Sequence, residues 1–137
     1  MAQLSPYLFF KGNCREAMTF YQDCLGAKLT VNTVGDSQMA AQMPKEAQHK
    51  VIHSVLEKDG FVLMAADMML EGEPVTGNTL SLCLVCQSKD EIHALYSKLA
   101  AGGRADHPLK EEFFGTFGDL TDKYGFNWML QLDPSKS

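Results

Sequence analysis

Asn13-Cys14-Arg15-Glu16-Ala17-Met18-Thr19-Phe20-Tyr21 and Ser88-Lys89-Asp90-Glu91-Ile92-His93-Ala94-Leu95-Tyr96 carry the same signal, set 75 residues apart. Each opens on a side chain able to accept from the free N–H groups of a helix, with a glutamate three residues on, the pattern of a capping box. Ala17, Phe20, Tyr21 and Cys24 then fall at i, i+3, i+4 and i+7; Ile92, Leu95, Tyr96 and Leu99 do the same in the second copy. That spacing lays one apolar stripe along each helix. Gly26 stops the first helix and Gly102-Gly103 the second.

The repetition extends outwards. Leu8-Phe9-Phe10 stands 75 residues ahead of Cys83-Leu84-Val85, and Asp59-Gly60-Phe61-Val62-Leu63-Met64 matches Tyr124-Gly125-Phe126-Asn127-Trp128-Met129 at an offset of 65. The first copy therefore carries about ten extra residues, which the polar stretch Gly35 to Lys50 can absorb as a long connection. Each copy reads strand, helix, three strands. The first predicts Leu4–Lys11, Cys14–Leu25, Lys28–Val34, Val51–Lys58 and Phe61–Asp67; the second predicts Thr79–Cys86, Lys89–Ala101, Arg104–Leu109, Phe113–Leu120 and Phe126–Asp133. Two βαβββ modules, residues 1–70 and 78–137, thus share a single domain of 137 residues, joined by the turn-rich linker Glu71 to Asn78. One helix covers one face of a four-stranded sheet, so the other face must meet the second module or enclose a cavity. The fold class expected is α+β.

Composition narrows the function. Hydrophobic residues make up 45% and charged residues 21%, which suits a globular core and not a disordered chain. A formal net charge of −5 without a basic run argues against nucleic acid or an anionic membrane as partner. The apolar run Phe61 to Ala66 is too short to span a bilayer. The opening Met1-Ala2-Gln3-Leu4-Ser5-Pro6 has no basic region or apolar run of a signal peptide, which points to the cytoplasm. Cys14, Cys24, Cys83 and Cys86 fit reduced thiols better than a disulfide frame. Cys83 and Cys86 form a C-x-x-C, but within a strand residues three apart face opposite sides, so two ordinary small side chains are expected there.

The segment Pro6-Tyr7-Leu8-Phe9-Phe10-Lys11-Gly12-Asn13-Cys14-Arg15-Glu16-Ala17, with Phe20-Tyr21 and Leu25-Gly26 behind it, resembles the start of a vicinal oxygen chelate domain. That superfamily includes glyoxalase I, bleomycin-resistance proteins and extradiol dioxygenases. Val51-Ile52-His53-Ser54-Val55-Leu56, Leu63 to Asp67, and Phe117 to Met129 resemble its PhnB-like branch. The resemblance implies paired βαβββ modules, their sheets curled into a cupped half-barrel with the helices outside, the glyoxalase/bleomycin-resistance fold. It also implies a homodimer. Members usually hold a divalent metal through ligands on the first and fourth strands of each module. Those positions fall here at or beside Pro6, at Met64, at Ser81 or Leu80, and at Met129. None is His, Glu, Asp or Gln, and a thioether suits copper(I) rather than the harder ions of the superfamily. The expectation is therefore no metal and no cofactor. His49 in a polar loop, His53 in a strand, His93 on the second helix and His107 before Pro108 form no convincing ligand pair. The branch is also labelled with methyltransferases; no strand, glycine loop and helix of a cofactor site is visible, so that activity is not expected. Gly115-Thr116-Phe117-Gly118 lacks the ending of a phosphate loop.

Strand alternation assigns a lining to the cup. Val62, Met64 and Ala66 share one face of their strand, and Asn127, Met129 and Gln131 share one face of theirs. Ser81 and Cys83 join from the fifth strand, His53, Val55 and Glu57 from the third, and Leu8 and Phe10 from the first. The candidate ligand-binding residues are therefore Leu8, Phe10, His53, Met64, Ser81, Cys83, Asn127, Met129 and Gln131. An apolar, methionine-rich lining with a few polar points suits a small flat or apolar molecule; the same residues would also fill a closed core. His53 is the best candidate for acid–base work, since imidazole titrates near neutrality, but Glu57 lies about 13 Å along an extended strand. No nucleophile–base pair is visible, and Asp67 reads as a strand end or turn cap. Three functions remain open: a metal-free binder of an unidentified small molecule, a metal-dependent lyase or dioxygenase, and a dimeric interaction protein with a filled cup. Whether the chain is an enzyme is left open by its residues.

Overall fold

The computed structural model describes residues 2–69 and 71–135. The chain divides into two compact units, Met1–Pro74 and Val75–Ser137. The boundary falls within the polar stretch 71–78; the expected module ends at residues 70 and 137 lie outside the described residues.

The first unit runs β1 (Tyr7–Phe10), α1 (Cys14–Leu25), β2 (Lys28–Thr33), β3 (Val51–Lys58) and β4 (Phe61–Asp67). Its strands lie in the order β1-β4-β3-β2, with β1 parallel to β4 and the other pairs antiparallel. The extra residues of this unit form three short 3-10 turns, Val34–Asp36, Ala40–Gln42 and Lys45–Ala47, between β2 and β3. Helix α1 packs on β2, β3 and β4. Met18 and Tyr21 are wholly buried in that contact, and each such side chain stabilises the unit by about 2 kcal/mol.

The second unit repeats the plan with β5 (Leu82–Cys86), α2 (Lys89–Ala100), β6 (Arg104–Glu112), β7 (Gly115–Thr121) and β8 (Asn127–Leu132), in the order β5-β8-β7-β6. Strand β6 runs three residues beyond its expected end at Leu109, and only Phe113-Phe114 separates it from β7. It is an edge strand, which is why Pro108 is tolerated inside it. Among the described residues no helix is long and apolar enough to cross a membrane.

The two helices start differently. Ser88 accepts from Glu91 N–H at 3.1 Å, and Glu91 accepts in return from Gln87 N–H at 2.7 Å, a closed capping box. Asn13 makes no side-chain cap, contrary to expectation. Its task passes to Asp67 at the end of β4. One carboxylate oxygen accepts from Gly12 N–H and Cys14 N–H at 2.9 and 3.0 Å, and the other accepts from Val51 N–H at 2.9 Å.

That difference shifts the register of the first strands. Phe10 pairs with Asp67, and Cys86 pairs with Leu132. Three residues separate β1 from α1, but only two separate β5 from α2. Carrying the helix offset of 75 into the strands therefore misplaces β1 by one residue and turns it over. Leu8 and Phe10 are buried rather than lining a cup, and Tyr7 and Phe9 take the outward positions.

Candidate ligand site

In each unit one sheet face packs under the helix and the other does not. On β8, Trp128, Leu130 and Leu132 are buried, while Met129 and Gln131 are exposed and Asn127 half-buried. On β5, Cys83 and Val85 are exposed and Cys86 is buried, so the two cysteines of the C-x-x-C face opposite sides. Ser81 lies just ahead of β5 and is exposed. Strand pairing then orders the helix-free face into rows. Val85, Gln131 and Phe117 form one row, and Cys83, Met129, Asp119 and His107 form the next.

A concavity of about 340 Å³ opens on this face. Val85, Phe114, Thr116, Phe117, Met129 and Gln131 are among the residues that line it. The rings of Phe114 and Phe117 stack with centroids 5.5 Å apart. Val85 is 61% and Phe114 56% exposed, an arrangement that costs hydration unless something covers it. Met129 and Gln131, expected in a lining, sit here; Asn127 instead donates to Gly77 O at 2.8 Å, with its Oδ1 3.1 Å from the Thr121 Oγ1.

The polar end of the face was not legible from the sequence. His107 Nδ1 lies 2.8 Å from Asp119 Oδ1. Beside them, Thr121 donates to Asp106 at 2.6 Å and accepts from Arg104 at 3.2 Å, and Arg104 also pairs with Asp106. The hydrogen bond and charge of Asp119 hold the His107 imidazole above its ordinary value, against a small opposing effect of burial. A raised imidazole contributes stability fully below the ordinary histidine pKa, and that contribution is lost as pH rises through the folded value. The expected result of a proton NMR titration is a raised His107 midpoint that falls back towards the ordinary value in Asp119→Asn.

In the first unit the helix-free face carries Tyr7, Phe9, Val62, Met64, His53 and Val55. His53 Nδ1 lies 3.0 Å from the Tyr7 hydroxyl, with ring centroids 5.8 Å apart; Glu57 instead stands opposite Lys28. Burial first, and the Cys14 thiol second, raise the Tyr7 hydroxyl above its ordinary value. Burial also pushes the Cys14 and Cys86 thiols up to about 11, so neither is a nucleophile at neutral pH.

The metal positions implied by the family resemblance resolve as two cross-strand pairs. Tyr7, beside Pro6, stands opposite Met64, and Cys83, two residues from Ser81, stands opposite Met129. A phenol, a thiol raised by burial and two thioethers are a poor set for a hard or borderline divalent ion. Among the described residues no group of three or more His, Cys, Asp or Glu could hold a metal. The residues present do not fit the superfamily's ion.

The order strand, helix, three strands in both units, each with a mixed four-stranded sheet, is the glyoxalase/bleomycin-resistance fold. Solved proteins of that class at 16 and 18% identity match with a TM-score of 0.65. The chain belongs to the PhnB-like 3-demethylubiquinone-9 3-methyltransferase family, whose model matches residues 2–131. Protein YjdN of Escherichia coli is 31% identical, with 94% of each chain covered. Protein PA1353 from Pseudomonas aeruginosa is 35% identical over 97% of this chain and 98% of its own, with a TM-score of 0.84. A PhnB protein from Bacillus cereus is 27% identical over 96% and 99%, with a TM-score of 0.77.

Proposed function

We propose that this protein binds a small, flat, largely apolar molecule on the helix-free face of its sheets, without a divalent metal. The aromatic and methionine concavity of the second unit, with Val85, Phe114, Phe117 and Met129 turned outwards, is the observation that carries the reading. A pocket of this size and lining matches small-molecule sites, with Gln131 as an orienting polar group. In the first unit Tyr7, Phe9, His53 and Met64 extend the same chemistry. The reading includes a homodimer, as the family resemblance implies, and residence in the cytoplasm, supported by four free cysteines. The donors at the superfamily's ligand positions disfavour a metal-dependent lyase or dioxygenase.

Cys83 supplies the test. It is the one exposed cysteine and stands beside Met129. A disulfide reagent is expected to label one thiol per chain ahead of the three buried ones, and a bound ligand to slow that labelling while raising the melting temperature. A panel of planar aromatic compounds read by both signals decides the matter. Silence in both across the panel overturns the proposal. Stabilisation confined to S-adenosylmethionine would favour the methyl transfer named in the family's description instead.

A further inference from the structure

We propose that His107, oriented by Asp119, is a proton acceptor for a weakly acidic hydroxyl, phenolic or enolic, carried by a flat ligand on the helix-free face of the second sheet. The inference rests on the ligand reading above and specifies the chemistry of that site.

The pair is built into the backbone. Arg104 stands opposite Thr121, His107 opposite Asp119 and Lys110 opposite Phe117. Three residues of β6 thus span two of β7, twice in succession, through two irregularities in the register. A regular strand would alternate faces; the doubled bulge brings three basic side chains to the same face as the concavity. Gly118 lets β6 close against β7 here, since a Cβ at that position would stand 2.9 Å from His107 O. From the other side of the sheet the Tyr96 hydroxyl reaches both carbonyls of the pair, His107 O at 3.1 Å and Asp119 O at 2.8 Å. The buried tyrosine pins the two strands at the point where the imidazole meets the carboxylate. A solvent-exposed ion pair of ordinary worth needs none of this support.

The charges around His107 leave it as the group able to take a proton. Across the strands it meets Asp119, and Asp106 on its own strand adds a second negative charge. On its own strand Arg104 is paired with Asp106, and Lys110 with Glu112 at 3.1 Å. From α2 the Tyr96 hydroxyl approaches on the backbone side. A carboxylate at Nδ1 fixes the tautomer with the proton there and the lone pair on Nε2. Asp119 pairs across the strands with Met129, which lines the concavity. An aromatic ring seated against Phe114, Phe117 and Met129 therefore lies beside the dyad. In the transfer the ligand's O–H bond breaks and an N–H bond forms at Nε2. The electron pair stays on oxygen, the imidazolium is balanced by Asp119, and nothing is oxidised or reduced.

The test compares 4-nitrophenol with nitrobenzene. Both probe the apolar seat, and only the phenol can yield a proton, seen as the red-shifted absorbance of its anion. Across a pH series, the protein is expected to lower the apparent pKa of bound nitrophenol, read from the anion band, and to bind nitrobenzene without spectral change of that kind. His107→Asn, whose amide can still donate to Asp119, should abolish that lowering and leave nitrobenzene binding unchanged. Asp119→Asn should raise the apparent pKa of the bound phenol by about one unit, a tenfold loss of anion. Nitrophenol bound without that lowering, or an undiminished lowering in His107→Asn, overturns the dyad while the ligand reading stands. Failure of both compounds to bind removes both.

Discussion

Replacing Asp67 by alanine lowers the stability of the first unit by about 4 kcal/mol, because three backbone donors lose a charged acceptor in a buried site. The carboxylate is 3% exposed and joins Gly12, Cys14 and Val51. Its loss frees the first turn of α1 and the start of β3 at once. The bonds from Cys14 and Val51 are buried, so water reaches those two donors only if the helix detaches, and the full cost of leaving them unmade is felt there. A melting temperature lower by roughly 12 °C is the expected scale for a chain of this length. Asp67→Asn should recover part of the loss, since one oxygen remains while the amide nitrogen confronts a donor. Chemical denaturation followed by far-UV circular dichroism measures both. A loss below about 1 kcal/mol, the worth of one neutral hydrogen bond, would mean that the three donors find other partners. Trp128, the single tryptophan, lies in the other unit and reports separately. Coincident dichroism and fluorescence midpoints would show the units melting together; a fluorescence midpoint unmoved by Asp67→Ala would show them melting apart.

Gly115→Ala is expected to cost at least about 3 kcal/mol, from the backbone conformation and the clash together. Gly115 opens β7 with a φ of +136°, and a Cβ there would stand 2.4 Å from Leu132 O. The neighbouring atom is backbone in a paired strand and cannot swing aside. Relief must come from separating β7 from β8 at the edge of the concavity, which Gly115 also lines. The variant should therefore lose stability and bind nitrobenzene more weakly. Differential scanning calorimetry and a binding titration read the two effects. Unchanged melting would show that the strand end yields without cost.

The repeat was legible because helices obey a spacing that survives one residue of drift. Phe20 and Tyr21 align with Leu95 and Tyr96 at the same offset, and both elements lie where the pattern puts them. Strand faces are less forgiving, since a single residue inverts them. Alternation puts Leu8 and Phe10 outwards only if the connection after β1 matches the one after β5, and it is one residue longer. The lining positions on β8 needed no such transfer: buried Trp128 and Leu130 alternate with outward Met129 and Gln131 directly. The pairing of His107 with Asp119 is hidden in the sequence for another reason. They meet through a doubled bulge in an edge strand, and twofold alternation along β6 carries no sign of it. Pro108 was the available signal, as a residue that interrupts regular pairing.

The contrasting helix caps bear on the order in which the halves mature during synthesis. Helix α2 has its acceptor and donor within four residues of each other and can close its first turn soon after residue 91 leaves the ribosome. Helix α1 waits for a carboxylate 53 residues downstream of Cys14. Until Asp67 has emerged and β4 has found its place, the leading half of the polypeptide holds an incompletely tethered helix.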